Sequence, residues 1–508
     1  MGIFDLKSVR NNTKSTKGFY FGAPEAEAEN VNGYKLINYF EDYLDILSNL
    51  QLGKFIFIGR KGVGKSAIAK FIKDKSDNSD QSFATILRIS DFEIEKNIQI
   101  EGDSFKMDML LFEWLILVNI VKLVVNNDCG TYTSEFEKLR KFLDNNSGVV
   151  AVDKFQIDEG FKKSGGEISF GVLTHSFGGV FKKYFDVKVT KAPFYKIIPP
   201  LKEIVKIILD YSINKDTEFW LLFDDLDINF SISNVEDKLK VMELIRLAKS
   251  YNNEVFTNNH AKILVFLRDD IRNVLISEYP DSAKIFNSYE ITINWYNHMY
   301  SMIDEKLIPI KQLINRRIEL NFKNNNIEFT GDAWNSLFCN ENFCLTPYQK
   351  KSSFKYILDF TFYRPRDLIT FLSIASEEGF EYPINSINVK NILEKYIAKN
   401  IYEIKSELSL IFSEKEKEKL FNTLFPYIIE YPTKSFNQVL EKINALGFNS
   451  DSNMVMNSLI SYSFLIPQSL QGELYFNYRE NGLLDKNSKE DLNITLPKCI
   501  YHYYRKIY

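Results

Sequence analysis

Apolar positions along the chain fall into two rhythms. Short segments of strand length stand at residues 55–58 and 262–268, which are nearly continuous apolar runs, at 83–89, which alternates, at 219–228, which ends in acids, and at 289–294. Between them lie longer stretches in which apolar residues return every three or four positions, the period of an amphipathic helix. These stretches are 32–50, 134–143, 199–211 and 235–251. The stretch 105–126 is apolar on almost every face. Glu113, Asn119 and Lys122 interrupt it, so it reads as a helix buried inside the protein rather than a bilayer span. Buried strands that alternate with helices of crossover length predict a parallel α/β sheet.

Past residue 296 the strand-like runs thin out. Helices are predicted over 298–317, 351–361, 365–378, 389–412 and 414–429. The stretch 435–480 reads as helix, turn, helix and then a short hairpin across 464–466 and 474–476, the outline of a winged helix. Residues 148–192 follow neither rhythm. Gly165-Gly166 and Gly178-Gly179 separate alternating segments at 168–173 and 180–189, which predicts hairpins inserted into the α/β core. This glycine-rich insertion is a candidate partner-facing arm, and a packed arm with a structural role fits the pattern equally well. The expected organisation is an N-terminal segment 1–31, a core 32–296 with its insertion at about 148–192, a helical region 297–412 and a winged-helix-like domain 413–508.

The first strand run leads directly into Gly59-Arg60-Lys61-Gly62-Val63-Gly64-Lys65-Ser66, and Ala67 continues into the next helix. G-x-x-x-x-G-K-[ST] between a strand and a helix is a phosphate-binding loop. A nucleotide phosphate requires a ring of backbone N–H donors, and glycines let the chain curl that closely. Lys65 supplies a point charge for the outer phosphates, Ser66 offers a hydroxyl to Mg²⁺, and the following helix turns its positive end to the anion.

Hydrolysis of a bound nucleotide needs two further groups, a carboxylate for Mg²⁺ and one that orients water. The strand run at 219–223 ends in Asp224-Asp225, with Asp227 two residues on. Asp224 is the candidate metal ligand and Asp225 the candidate water-orienting group; solvated acids at a strand end are the plain alternative. Arg268 closes the next strand run, where a forked guanidinium suits a γ-phosphate, although a salt bridge to Asp269 or Asp270 would use it as well. Tyr363-Arg364-Pro365-Arg366-Asp367 opens a helix, because proline is favoured in a first helical turn. Arg364 and Arg366 are candidate nucleotide contacts there, against the reading of an ordinary helix cap. Arg272, Arg316 and Arg317 are weaker candidates for a finger acting on a neighbouring copy.

At 508 residues the chain is long enough for more than one domain, and 45% apolar with 26% charged residues is ordinary for globular proteins. A net charge of −4 argues against a protein whose main task is coating nucleic acid. Cys129, Cys339, Cys344 and Cys499 show no C-x-x-C spacing, and His175, His260, His298 and His502 stand isolated, so neither a zinc site nor an H-E-x-x-H protease is indicated. The N-terminal residues carry no apolar leader, which leads us to expect a cytoplasmic protein without a membrane partner.

With these residues assembled, the chain resembles additional-strand P-loop ATPases of the AAA+/STAND group, on the branch with KAP-like and origin-recognition-like ATPases. It is more closely similar to a bacterial family of predicted P-loop ATPases. The likeness is carried by Phe21-Gly22 with Glu25-Ala26-Glu27, by Gly59 through Ser66, by Phe223-Asp224-Asp225-Leu226-Asp227, by Phe266-Leu267-Arg268-Asp269-Asp270-Ile271 and by Arg364-Pro365-Arg366-Asp367-Leu368. The resemblance implies a sheet in the order 5-1-4-3-2, a helical lid, a C-terminal winged helix and ATP as the nucleotide. It also implies nucleotide-gated conformational change or assembly, in a group that often serves bacterial antiphage defence. STAND switches usually carry a large sensor-repeat domain after the winged helix, which this sequence does not show.

The function expected from this reading is an ATP-binding and ATP-hydrolysing switch whose nucleotide state controls homo-oligomer assembly or engagement of a separately encoded effector. The alternative is a DNA-acting ATPase that reads through the winged helix. The tail Cys499–Tyr508, which interleaves aromatics with Arg505 and Lys506, speaks for that alternative, and a packed terminal helix would account for it as well. A nucleotide-binding scaffold with little turnover is a third reading.

Overall fold

The computed structural model describes residues 14–505 apart from 32–33, 89–103, 128–133, 148–166, 187, 212, 215, 228–229, 233, 259, 297–303, 340–342, 347–348, 431–433 and 480–491. The acidic stretch 91–101, Gly165-Gly166, His298 and the last three residues of the tail lie outside the described residues. The chain forms two compact units. One holds residues 44–60 and 65–293; the other holds the residues up to 43, residues 61–64 and everything from 294 onward. Residues 34–43 therefore group with the helical part of the chain.

The first unit is built on five parallel strands: β1 (Ile56–Gly59), β2 (Ser82–Arg88), β3 (Glu218–Asp224), β4 (Ala261–Arg268) and β5 (Glu290–Thr292), in the spatial order β5-β1-β4-β3-β2. This is the strand order that the resemblance implied. β1 is buried along its whole length and β4 on all but one residue, as continuous apolar runs require in a sheet covered on both faces. The register brings Gly59 beside Arg268, and Arg88 beside Asp224, at the carboxyl ends of their strands.

Helix α1 (Lys65–Asp77) follows β1, and α2 (Ser104–Asn126) runs through the interior, packed against α3 (Phe194–Tyr211) and α4 (Val235–Ser250). The segment Met109–Asn126 has a mean hydropathy of 1.9, yet 72% of it is buried inside the protein, as a core helix should be. Its one buried acid is satisfied: Glu113 Oε1 accepts from Tyr251 Oη at 2.8 Å and from Lys202 Nζ at 3.0 Å.

Two sequence expectations in this region are corrected. No single helix spans 32–50. The described residues there form the short strand Tyr34–Lys35, a 3₁₀ turn Leu36–Asn38 and an α-helix only over Ile46–Gln51. Asp45 has φ +47°, left-handed backbone that an α-helix does not contain. In the insertion, the described residues of 180–189 form no strand. Thr174–Phe181 forms two short helical turns with a kink at Phe177 (φ −115°, ψ 27°), flanked by an antiparallel ribbon of Glu167–Ser169 with Lys191–Pro193. Leu173, Phe177, Val180 and Phe181 are buried together, and Phe170 stacks on Phe181 at 4.8 Å. Asn146 fastens the ribbon by exchanging hydrogen bonds with Ser169 (2.9 Å each way). The described part of the insertion is thus packed structure.

In the second unit, α5 (Pro309–Asn324) begins eleven residues later than the expected 298, with Pro309 in its first turn, where the missing N–H leaves no helical bond unmade. Arg317 on α5 fastens the N-terminal segment, donating to Phe21 O at 2.8 Å and to Glu29 Oε1 at 2.9 Å. A Cβ on Gly22 (φ +111°) would lie 1.9 Å from Arg317 Nη1, so glycine is required there. Helix α6 (Pro365–Glu378) has proline in its first turn and stops at Gly379 in left-handed conformation. It packs along α7 (Ser386–Leu408).

Toward the C-terminus, β6 (Lys434–Ser435), helices α8 (Phe436–Leu446) and α9 (Ser452–Ser461), β7 (Ile466–Gln468) and β8 (Asn493–Thr495) follow one another. The three strands form an antiparallel sheet in the order β6-β8-β7. The expected hairpin forms in part, one step along the chain from 464–466: Gln468 bridges Leu474, Tyr475 N donates to Pro467 O and Ser469 N to Glu473 O (2.9 Å each), while the strand paired along β7 is β8. The chain closes with α10 (Lys498–Arg505).

Candidate functional site

In the sheet unit, the charged residues singled out from the sequence meet at the carboxyl ends of β1, β3 and β4, the edge where open parallel sheets hold ligands. Lys65, in the first turn of α1, donates its ammonium to Gly59 O (3.0 Å) and Arg60 O (3.2 Å). Burial pushes Lys65 below the ordinary lysine range. Asp227 opposes that shift, Arg268 adds to it, and Asp224 and Asp269 oppose it. Ser66 and Ala67 follow in the same turn. Asp224 ends β3 with only 3% of its surface exposed.

Asp225 leaves the strand with φ +55°, left-handed backbone that aspartate tolerates better than branched residues do. Its Oδ2 is ion-paired with Arg88 Nε at 2.9 Å. The strand-end position of Asp225 was legible in the sequence. Arg88 was not singled out, although parallel register alone sets the end of β2 beside the end of β3.

Arg268 is buried and engaged by carboxylates. It forks onto Asp270 (Nε to Oδ1 3.1 Å, Nη2 to Oδ2 2.6 Å) and reaches Asp227 with Nη1 at 3.2 Å. The salt bridge weighed as its alternative use is therefore formed, to Asp270. Asp269 has the opposite balance: burial and the neighbouring Asp270 push its carboxyl up, against Arg60, Lys65 and Arg268.

The tip of the loop, Lys61–Gly64, belongs to the helical unit and is held there. Gly62 (φ +82°) and Gly64 (φ +103°) adopt left-handed backbone. Arg364 Nη1 donates to Lys61 O at 3.2 Å, Arg366 N approaches Gly62 O at 3.4 Å, and Trp295 Nε1 donates to Val63 O at 2.8 Å. From α7, Ser406 Oγ accepts from Lys61 Nζ at 3.1 Å.

Arg364 is itself almost fully buried. Its guanidinium is fixed by Asp367 (3.1 and 3.0 Å) and by Glu407. Burial works against the charge on Arg364, but Asp367 and Glu407 outweigh it and hold the guanidinium well above its ordinary range. Arg366 stays near the surface, donating Nε to Pro24 O at 3.1 Å and pairing with Glu403 at 3.5 Å. Glu407 gave no sign in the sequence; it stands 43 residues from its partner on another helix.

The remaining arginine candidates are occupied. Arg272 forks onto Glu290, Arg316 pairs with Glu41, and Arg317 is buried against Glu29. In the tail helix, Cys499, Ile500 and Tyr504 are buried, Tyr504 Oη donates to Phe421 O, and Lys498 pairs with Asp359. Among the described residues, no group of three or more His, Cys, Asp or Glu is arranged to hold a metal by protein ligands alone.

Residues 309–396 match the model of a FunZ-associated C-terminal helical domain. The match takes in α5, α6 and the first half of α7, and so includes Arg364, Arg366 and Asp367; Glu403, Ser406 and Glu407 lie past its end. No curated protein matches the chain.

Proposed function

We propose that the chain is an ATP-binding and ATP-hydrolysing molecular switch on a P-loop core of the AAA+/STAND type. In this reading Gly59–Ser66 takes the triphosphate, with Lys65 turning from the loop carbonyls to the outer phosphates. Ser66 and Asp224 fit Mg²⁺, a hard cation that accepts one or two protein oxygens and fills its remaining positions with water and phosphate. Bound there, Mg²⁺ would neutralise charge on the transferring phosphoryl group. Asp225 orients water once it leaves Arg88, and Arg268 stands in the same charged cluster to answer the γ-phosphate.

The observation that carries the switch reading is the hydrogen bond from Arg364 to Lys61 O. The Lys61 carbonyl shares a peptide group with the N–H of Gly62. A phosphate that orders this N–H polarises and fixes the carbonyl as well. Arg364, anchored to α6 and α7, would then report the state of the loop to the helical region that serves as the lid. Assembly of a homo-oligomer or engagement of a separately encoded effector, cytoplasmic location and service in bacterial antiphage defence are further parts of this proposal.

A DNA-acting ATPase is the second reading. The order strand, two helices, two strands at residues 434–495 is that of a winged helix, the one observation in its favour. Against it, α9 lies where a reading helix would stand and has the sequence SNMVMNSLIS, without a lysine or arginine for phosphate or base contacts. Its Met454 is 64% exposed, which suits a protein partner better.

Particle mass in solution, measured with ADP, ATP and a non-hydrolysable ATP analogue, tests the proposal on wild type, Lys65→Ala and Asp225→Asn. The switch reading expects a larger assembly with ATP, trapped by Asp225→Asn and lost in Lys65→Ala. Constant mass across nucleotides, with turnover raised by DNA in a salt-dependent manner, would establish the DNA-acting reading instead.

A further inference from the structure

Two side chains hold the loop tip by its carbonyls, Trp295 Nε1 on Val63 O and Arg364 Nη1 on Lys61 O. Each is the chain neighbour of a tyrosine, and the rings of those tyrosines, Tyr296 and Tyr363, meet edge-on with centroids 5.0 Å apart. A third ring closes on both. Tyr478, in the 3₁₀ turn Asn477–Arg479 beyond β7, lies 5.6 Å from Tyr363 and 6.4 Å from Tyr296. It is buried, with Phe476 at 5.2 Å. Asn477 ties the same turn to the end of α9, its N donating to Ser463 Oγ at 3.1 Å and its Nδ2 to Ser461 O at 2.9 Å.

Tyr363 has φ +55°, left-handed backbone that a bulky residue keeps only where its surroundings impose it. Rings from the C-terminal part of the chain grip this turn at two successive residues. Phe464 meets Phe362 edge-on at 5.7 Å, and Tyr478 packs on Tyr363. The next residue, Arg364, is extended (φ −117°, ψ 141°) and enters α6 with its guanidinium on the loop. Rotation at Tyr363 would re-aim Arg364, because the two rigid peptide planes between them and their neighbours hinge at the Tyr363 Cα.

We infer that Tyr478 is a positioning residue for the loop. By fixing Tyr296 and Tyr363 it keeps Trp295 and Arg364 on the loop carbonyls, and so sets how well the loop is preformed for a nucleotide. The C-terminal region thereby sets ATP affinity. That consequence rests on the phosphate-loop reading, whereas the hold on the loop tip does not.

The exchange rate of the Trp295 indole N–H tests the hold, followed by nuclear magnetic resonance on the nucleotide-free full chain and identified by its absence from Trp295→Phe. The rate is expected to rise about tenfold in Tyr478→Leu and in Tyr363→Gly, and no further in the double variant. Trp334, in the same unit, donates Nε1 to Ser353 Oγ at 2.9 Å, and its exchange is expected to stay as in wild type. Equal acceleration of Trp295 and Trp334, or additive effects in the double variant, would show general loosening and overturn the inference. Unchanged Trp295 exchange in the single variants would overturn it too. Should Tyr478→Leu fail to fold, Tyr363→Gly and Tyr296→Leu read the same contact from its half-buried side, and glycine accepts the left-handed backbone. ATP titration of the same proteins is expected to show about tenfold weaker binding in each single variant, and wild-type affinity in all of them would refute control by Tyr478. A wild type that binds no ATP would instead overturn the phosphate-loop reading and leave the exchange rates to decide on Tyr478.

Discussion

Arg364 donates to the main-chain oxygen of Lys61 at 3.2 Å from a position almost wholly removed from solvent. The geometry uses three faces of one guanidinium: two nitrogens on Asp367, one on Glu407 and the loop carbonyl. Removal of such a cation strands two buried carboxylates. Arg364→Ala should therefore lower stability by about 3–5 kcal/mol, and Arg364→Lys should recover only part of it, since an ammonium cannot fork. Urea denaturation of the three proteins measures this. A loss under about 1 kcal/mol would mean that the network is not formed in solution.

Lys65 links the candidate site to pH. Because burial lowers its pKa in the folded chain, the unfolded chain binds a proton that the folded chain has released, between that lowered value and about 10.5. Nucleotide-free stability attributable to Lys65 should therefore rise as pH rises through that window, and Lys65→Met should flatten the rise. Thermal unfolding of both proteins between about pH 7.5 and 10 decides the point. Parallel profiles would show that the Lys65 ammonium is solvated.

Asp225→Asn keeps a residue that tolerates left-handed backbone while it removes the carboxylate. ATP should still bind, with turnover reduced about 10²- to 10⁴-fold. Single-turnover assays separate the two effects. Turnover within a factor of about three of wild type would assign water orientation to another group, with Asp227 the nearest candidate in sequence.

Gly62→Ala places a Cβ 3.2 Å from Arg366 Cβ and 3.3 Å from Arg366 Cδ, on backbone with φ +82°. The left-handed conformation alone costs an L-residue about 1–2 kcal/mol. Relief takes a shift of a few tenths of an ångström between the loop tip and the Arg366 side chain, and together with the backbone strain this should lower ATP affinity about tenfold, as titration calorimetry would show. Wild-type affinity would mean that the tip and α6 part without consequence for the site.

Burial, with Asp367 nearby, pushes the Cys499 thiol up to about 12. At pH 8 its thiolate fraction is then on the order of 10⁻⁴, whereas Cys339 is partly exposed. Peptide mapping after brief iodoacetamide treatment should find Cys339 modified and Cys499 intact. Early labelling of Cys499 would show that α10 detaches from its seat.

Local chemistry made several elements legible in advance. The continuous apolar runs at 55–58 and 262–268 gave buried parallel strands, and Pro365 with Gly379 marked the two ends of α6. The helical turns of the insertion were missed because Gly178-Gly179 reads as a turn, while Leu173, Phe177, Val180 and Phe181 are buried together. The backbone does kink beside the glycines, at Phe177 (φ −115°, ψ 27°), so packing of the apolar face won only on either side of that point.

The sequence by itself determined the strand-loop-helix at Gly59–Ser66, the acids that end β3 and the arginine that ends β4, because each depends on residues adjacent in the chain. Tertiary structure alone decided what those side chains meet. It set Arg88 on Asp225, Asp270 on Arg268 and Glu407 on Arg364. Such pairings are fixed by strand register and helix packing between distant segments. They arise because a buried charge is tolerated only where the fold brings it a partner.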